Sequence, residues 1–373
     1  MSQITRYGII GCGMMGQEHL QNIALLDGAE VAAIFEPDAG MAAKSLALAP
    51  KATLYDSLEA LVAHPDLDCY LIASPNFRHV EQLTYLAKHR PLPVLVEKPL
   101  FTDPAQQDSL REIRDSYPAP IWVAMEYRYM PPITAFLEAA EGATGGIKML
   151  SLREHRFPFL QKVGDWNRFN RYTGGTFVEK CCHFFDLMRL ALKSEPVRVL
   201  ASGGMDVNHR DEAYDGETPD ILDNGFVIVD FASGARALLE LCMFAEGSRY
   251  QEEVCATGPK GKIEAYVPGP GRFWPDHLGE APIPQLIESP RDPKGPIARD
   301  IPVDPTLLAA GDHNGSTFYQ HQKFLDLVRG KSQAPEVSLN DGYMAVIMGM
   351  AAQISMKEHR AVEISELTRA MNG

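Results

Sequence analysis

The sequence lacks several things that whole classes of protein require. It has no surplus of basic charge, since 35 Lys and Arg stand against 49 Asp and Glu among 373 residues, a formal net charge of −14. A polyanionic partner needs a net basic face, so nucleic-acid binding is excluded. No apolar run approaches the roughly 18 residues that span a bilayer, and the longest, residues 345–354, reads as a buried helix. Cysteine is sparse. Cys12, Cys69, Cys181, Cys182, Cys242 and Cys255 form no C-x-x-C pair and no His-Cys zinc spacing, and adjacent Cys181 and Cys182 are poorly placed to bridge each other. Reduced thiols and no metal site are therefore expected. The N-terminus runs straight into a strand pattern without an apolar signal core, so the expected compartment is the cytoplasm. What is present is ordinary for a globular protein, with 45% hydrophobic and 23% charged residues over a length that suits two domains.

The first 125 residues alternate apolar runs (residues 7–10, 30–35, 69–73, 94–96 and 121–124) with amphipathic stretches (17–26, 39–47, 57–63, 78–88 and 105–114). That alternation builds a parallel sheet covered on both faces. Beyond it the pattern changes to candidate strands at 147–157, 225–231, 236–244, 254–257 and 262–265, with helices at 182–192, 318–329 and 341–357. The expected class is α/β: an N-terminal domain over 1–126 and a C-terminal α+β domain over 127–373 built on an open, mostly antiparallel sheet, its last helices packing back on the first domain. Residues 205–224 carry seven acids, and residues 268–305 hold ten of the 27 prolines. Proline removes donors from sheets and helices alike, so the second stretch is expected to be an extended surface arm, as decoration rather than a subunit contact or a flap over a pocket.

Gly11-Cys12-Gly13-Met14-Met15-Gly16 directly follows the first strand and opens the first helix, the one context in which G-x-G-x-x-G carries weight. Gly11 permits the tight turn, Gly13 lets a pyrophosphate approach the backbone along Met14 and Met15, and Gly16 lets helix pack on strand. The helix N-terminus offers free N–H groups to phosphate. Glu36, ending the second strand 25 residues after Gly11, is placed to read ribose hydroxyls. Its charge repels a 2′-phosphate, and no Arg follows to welcome one, so NAD is expected over NADP.

Two further clusters end later strands, where open α/β sheets bind ligands. They are Ser74-Pro75-Asn76-Phe77-Arg78-His79 and Glu97-Lys98-Pro99. Together with the Gly-rich turn and the segment Gly174-Gly175-Thr176-Phe177-Val178-Glu179-Lys180-Cys181-Cys182-His183-Phe184-Phe185-Asp186, they make the chain resemble the glucose-fructose oxidoreductase and inositol dehydrogenase family (Gfo/Idh/MocA) over nearly its whole length. The resemblance implies a Rossmann domain followed by an α/β domain whose open sheet often makes oligomer contacts, here a homodimer or homotetramer. It places Ser74, Asn76, His79, Glu97 and Lys98 with Gly11, Gly13, Met14, Met15, Gly16 and Glu36 around the cofactor. It also implies that Lys98 hydrogen-bonds a reacting hydroxyl while His183 removes its proton. An imidazole that titrates near neutral pH and an ammonium beside a developing alkoxide suit those roles.

The usual family pattern has Asp four residues before the histidine and commonly Gly two before it; here those positions hold Glu179 and Cys181. On a continuous helix Glu179 and His183 are an i, i+4 pair, so the carboxylate is expected to orient the ring, or else to reach substrate. Residues 152–172 hold Arg153, His155, Arg156, Lys162, Arg168 and Arg171 against Glu154 and Asp165. Two readings stand: arginine forks for an oxyanion on the substrate, or salt-bridged surface. Arg156 and Arg168 are substrate candidates, as are Trp166, which can stack on a sugar, and Tyr127; His313 is a weaker one, more readily a loop residue.

The expected activity is NAD-dependent oxidation of a secondary hydroxyl of a sugar, sugar acid or cyclitol, the substrate being a small carbohydrate. A second reading is an NAD-dependent glycosidase that works by transient oxidation and elimination on an acidic or sulfonated sugar. A third is a non-catalytic NAD-binding regulator.

Overall fold

In a computed structural model the described residues are 4–368; residues 1–3, read above as the lead into the first strand, lie outside them. Strands β1 (Thr5–Ile10), β2 (Ala29–Phe35), β3 (Thr53–Tyr55), β4 (Cys69–Ile72), β5 (Val94–Val96) and β6 (Ile121–Val123) form a parallel sheet in the order β3-β2-β1-β4-β5-β6. Every residue of β4, β5 and β6 is buried, which a sheet covered on both faces by helices requires. Strand order reverses at β1, between β2 and β4. Such sheets bind ligands in the crevice beyond the carboxyl ends of the strands at that point.

The second sheet contains β7 (Met149–His155), β8 (Pro196–Gly204), β9 (Asn224–Phe231), β10 (Arg236–Cys242), β11 (Glu252–Thr257), β12 (Gly261–Val267), β13 (Gln285–Pro290), β14 (Ile297–Asp300) and β15 (Val362–Glu363). They are ordered β14-β13-β12-β11-β7-β10-β9-β8-β15, and β7 runs parallel to β10 while every other pairing is antiparallel. Burial alternates along the strands as a one-sided sheet demands. Leu150, Leu152 and Glu154 point inward from β7, whereas Leu200, Phe226 and Ile228 are exposed on the other face. The inner face is covered by the helices Pro131–Thr144, Cys182–Leu192 and Leu339–Glu358.

Leu339–Glu358 is stopped and seated by local chemistry. Ser338 and Asp341 form a capping box at its start, and two glycines remove side chains where it packs closely on a Val side chain and on another segment's backbone. A Cβ on Gly342 would meet Val123 of β6 at 2.7 Å, and one on Gly349 would meet the Phe177 carbonyl oxygen at 2.6 Å. The helix thus ties the end of the parallel sheet to the segment that carries His183. Ser316–Val328 packs on the first helix, Met14–Ile23, where His321 Nε2 lies 2.8 Å from His19 Nδ1. No helix among the described residues is long and apolar enough to cross a membrane.

The proline-rich stretch is not mere decoration, because it supplies β13 and β14. Pro284 and Pro290 fall at the ends of β13 and Pro293 and Pro296 in the turn to β14, and β14 is an edge strand that needs partners on one side only. The stretch also returns to wall the main cavity with Pro268, Pro270, Pro282, Pro284 and Pro302. The helix Pro131–Thr144 and strands β3 and β8, which sequence periodicity did not single out, complete the layers.

Candidate active site

The Gly-rich turn is built around two glycines that must be glycine and one that faces open space. Gly11 has φ of +88°, and a Cβ there would lie 2.5 Å from the Ser74 backbone. A Cβ on Gly16 would lie 2.6 Å from the Gly11 carbonyl oxygen. Around Gly13 nothing comes within 4 Å of the Cβ position, so the turn leaves backbone accessible at the start of the helix. Gly13 is also the N-cap of that helix and no side chain caps it, and a helix start leaves its first N–H groups without intrahelical partners. Glu36 Oε2 accepts the Cys12 N–H at 2.6 Å and Oε1 accepts the Asp38 N–H at 2.8 Å. A carboxylate offers about four acceptor positions, so lone pairs remain for ribose hydroxyls. These features fit a dinucleotide: Gly13 and the helix N-terminus would hold the pyrophosphate, and Glu36 the adenosine ribose.

Beyond the carboxyl ends of β1, β5 and β6 opens a cavity of about 930 Å³, lined from the parallel sheet by Met14, Met15, Glu18, Lys98, Glu126 and Tyr127. From the second sheet and its helices come Arg156, Lys162, Glu179, Lys180, His183 and His313. Lys98 Nζ donates to the Glu179 carbonyl oxygen at 3.2 Å. Burial works against its charge, but Cys182 and the carboxylates of Glu97, Glu179 and Glu126 outweigh it and hold the ammonium above the ordinary lysine value. His183 is buried, its Nδ1 without a hydrogen-bond partner, and its ring lies flat on Tyr127 with centroids 4.0 Å apart and planes 5° apart. Burial first, then the charges of Lys98 and Lys180, with smaller contributions from His313 and Arg156, push it well below the ordinary histidine pKa. The imidazole is therefore neutral at neutral pH, the state a proton acceptor needs.

Under that stack lies a buried ionic layer. Lys180 Nζ donates to Tyr127 Oη at 2.6 Å and sits 2.8 Å from Glu154 Oε1. Glu154 faces Glu252 across the β7–β11 pair, and burial followed by that like charge raises Glu252 to about 7. On the cavity's far side Glu18 Oε1 lies 2.8 Å from His313 Nδ1, and Thr317 Oγ1 lies 2.9 Å from Glu18 Oε1 and 2.5 Å from Glu126 Oε2. Although burial opposes its charge, Glu126 and Glu18 raise His313 to about 9, so it completes an internal ion pair.

Residues 5–125 match the oxidoreductase family with an NAD-binding Rossmann fold, and residues 140–364 match that family's C-terminal alpha/beta domain. The chain belongs to the Gfo/Idh/MocA oxidoreductase family. It is an NAD-binding oxidoreductase. It is 25% identical over 365 residues to the myo-inositol 2-dehydrogenase of Thermotoga maritima, covering 97% of this chain and 99% of that one. Among solved structures it resembles a probable dehydrogenase from Thermotoga maritima, with a TM-score of 0.76, 24% identity, and 97% and 99% of the two chains covered. It also resembles a levoglucosan dehydrogenase in complex with NADH and levoglucosan, with a TM-score of 0.78, 19% identity, and 97% and 100% covered.

Within this Gfo/Idh/MocA fold the predicted residues do not all reach the cavity. Lys98, Glu179, His183, Tyr127, Arg156, His313, Met14 and Met15 line it; Trp166 and Arg168 do not. Arg168 Nε is held by Glu212 at 3.1 Å and by Tyr214 Oη at 3.3 Å, and Trp166 lies beneath Lys162 Nζ, 4.4 Å from its ring centre, and edge-on to Phe77. Both ring nitrogens of His79 sit at carbonyl oxygens, those of Pro99 at 2.8 Å and Ser74 at 3.0 Å; burial favours the neutral ring, which donates to one of the two. Ser74 Oγ donates to Gln82 Oε1, and Glu97 accepts from His19 Nε2 and from the Lys98 backbone. Asn76 keeps a buried Nδ2 without a partner.

The expected Glu179–His183 pairing is also absent. The helix Thr176–Glu179 ends, and a second begins at Cys182, so the two residues are not on one continuous helix. The Glu179 carboxylate turns instead to Lys162 Nζ at 3.1 Å. Three groups escaped sequence reasoning: Lys180, the Glu154–Glu252 pair, and Glu18 with Glu126. A charged Lys180 inside the apolar run from Phe177 to Phe185 was the available signal, because a lysine at a buried position needs a partner.

Proposed function

We propose that the protein oxidises a secondary hydroxyl of a sugar, sugar acid or cyclitol, with Lys98 and His183 acting on that hydroxyl. Bound NAD supplies the acceptor for the two electrons and hydrogen that leave the carbinol carbon. Lys98 donates a hydrogen bond to the reacting oxygen and stabilises its negative charge as the O–H bond breaks. His183, kept neutral by burial and by two neighbouring ammonium groups, takes the proton. Tyr127 fixes the imidazole plane by stacking on it. The proton balance is complete, with a ketone, reduced cofactor and an imidazolium as products. The unpartnered Asn76 amide is a donor the nucleotide would satisfy. Glu179 holds Lys98 through its carbonyl and Lys162 through its carboxylate, a positioning role.

The observation that carries this reading is the convergence of a charged Lys98 and a neutral, Tyr127-stacked His183 on one cavity below the Gly13 helix start. We further assign the division between units to residues 126 and 127, and a homodimer or homotetramer contact to the exposed apolar face of Leu200, Phe226 and Ile228, since a contiguous patch of that kind calls for cover. The test is a panel of inositols, aldoses and sugar acids, free and as aryl glycosides, with NAD, reading reduced cofactor and released phenol together. Stoichiometric reduced cofactor is expected; phenol release without net reduction would replace oxidation by the glycosidase cycle. Lys98→Met and His183→Asn should each lower kcat roughly 10²- to 10⁴-fold. Near-normal turnover in either would end the assignment.

A further inference from the structure

The basic cluster over residues 152–172 resolves into close pairs with one exception, Arg156, whose only ion-pair contact is a longer one to a shared carboxylate. Arg153 meets Glu253, His155 Nε2 lies 3.0 Å from Glu240, and Lys162 meets Glu179. Arg168 meets Glu212, and Arg171 is held by Glu217 through two hydrogen bonds. The acidic loop at 205–224 supplies two of those partners and is itself pinned by Asp223, whose carboxylate accepts the N–H groups of Asp206, Val207 and Asn208. Arg156 is different. Its side chain is only 13% exposed and it lines the cavity. Nε donates to the Phe157 carbonyl oxygen at 3.1 Å, and the guanidinium lies over the Phe157 ring, 4.3 Å from its centre. Phe157 is in turn braced by Phe273 from the proline-rich stretch, 4.4 Å away. The nearest carboxylate is Glu154 at 3.6 Å, beyond hydrogen-bond length and already engaged by Lys180 at 2.8 Å.

A guanidinium has five N–H donors. One is used by the protein, so four are left on a side chain that is nearly buried, immobilised by stacking, and turned to a cavity. Planar paired donors of this kind match a carboxylate or another oxyanion in bidentate fashion, and a neutral hydroxyl only one donor at a time. The charge environment agrees. Lys98 shares the wall with Arg156, Lys162 and Lys180 there are matched by Glu179 and Glu154, and the carboxylates of Glu18 and Glu126 are engaged by His313 and Thr317.

We propose that the substrate carries an oxyanion, a carboxylate in the first instance, and that Arg156 is the residue that selects it. The inference rests on the oxidation proposed above and deepens it: the substrate is a sugar acid rather than a neutral polyol.

The experiment compares matched pairs, hexuronates and aldonates against the corresponding hexoses and polyols, with the NAD-loaded wild type, Arg156→Met and Arg156→Lys. Acids should be preferred in kcat/KM by roughly 10- to 100-fold, the worth of one or two charge-assisted hydrogen bonds. Arg156→Met should erase that preference chiefly through KM, and Arg156→Lys, which keeps the charge but not the fork, should retain only part of it. Calorimetric titration of the acids into the NAD-loaded protein supplies a second readout. A wild type that oxidises neutral sugars as well as acids, with a preference unmoved by Arg156→Met, overturns the inference and leaves the oxidation standing. Absence of cofactor reduction with every compound overturns the oxidation instead. In that event Arg156-dependent binding of an acid still upholds the anion site, and its absence sinks it. Arg156→Lys serves if thermal melting shows Arg156→Met unfolded.

Discussion

Replacing Lys180 by Met tests whether the ionic layer beneath the Tyr127–His183 stack sets the protonation of the proposed base. Lys180 Nζ sits 4.9 Å from the Tyr127 ring centre, and the imidazole centre lies 4.0 Å from that same point. The ammonium is therefore within about 9 Å of the imidazole, and at an effective dielectric of about 20 a unit charge there is worth about 2 kcal/mol, a little over one pH unit. The sign is fixed: a nearby cation disfavours imidazolium, so removing it raises the His183 pKa. The acid limb of the kcat/KM profile, where protonation silences the base, should move to higher pH by about one unit. Glu154, left with Arg156 as its remaining cation and Glu252 across the strand pair, pushes the same way. Breaking a buried pair can cost about 3–5 kcal/mol of stability, so Lys180→Met should be paired with Lys180→Met/Glu154→Gln, which removes both charges and should show a smaller shift. Burial, then Lys98, His313 and Arg156, remain in both proteins and hold the rest of the displacement. The assay is cofactor reduction across pH, with folding checked by thermal melting at each value. An acid limb that stays in place in a folded Lys180→Met protein, or moves to lower pH, would refute the reasoning.

Two more outcomes follow from the geometry. Gly11→Ala puts a Cβ 2.5 Å from the Ser74 backbone at a φ of +88° and should cost about 1–3 kcal/mol in stability together with loss of NAD affinity, measured by melting and by fluorescence titration. Glu252→Gln should stabilise the protein selectively at high pH. Burial and then Glu154 raise the Glu252 carboxyl to about 7 in the folded state, so folding is penalised wherever the unfolded chain would be ionised and the folded one must follow. That penalty is absent below the unfolded value near 4.3, grows from there up to about pH 7, and is constant above; the gain is expected to be at most about 4 kcal/mol at pH 8 and about 1 kcal/mol near pH 5. Equal gains at both pH values would show that the carboxyl is not perturbed in this way.

Much of the fold is legible because parallel strands and their helices are encoded locally. Residues 94–96 form β5 as the apolar run indicates, and the helices at 182–192 and 339–358 follow from periodicity and caps. What local pattern cannot carry is adjacency. The parallel β7–β10 pair joins strands with three intervening helices and two strands between them, and no alternation within either segment announces it. Proline misleads for a related reason. Its damage depends on whether the missing N–H had a partner, and at the ends of β13 and beside the edge strand β14 it did not.

The same distinction governs the site. Gly11, Gly13, Gly16 and Glu36 are legible because the turn's requirements are steric and confined to one βαβ unit. Lys98 and His183 came through a resemblance over the whole chain, and the cavity brings both together. The Glu179–His183 pair is not legible because an i, i+4 relation requires a continuous helix, and at Lys180 and Cys181 one helix ends before another begins. The basic cluster could not be sorted from sequence at all, since the acids that neutralise it lie as far away as Glu212 and Glu217 in the acidic loop and Glu253 in β11. Pairing is a subtraction that only the folded chain performs. Once Arg153, Lys162, Arg168 and Arg171 have been matched to carboxylates, an excess of base over a short segment becomes a single guanidinium, and the question of substrate charge becomes a question about Arg156.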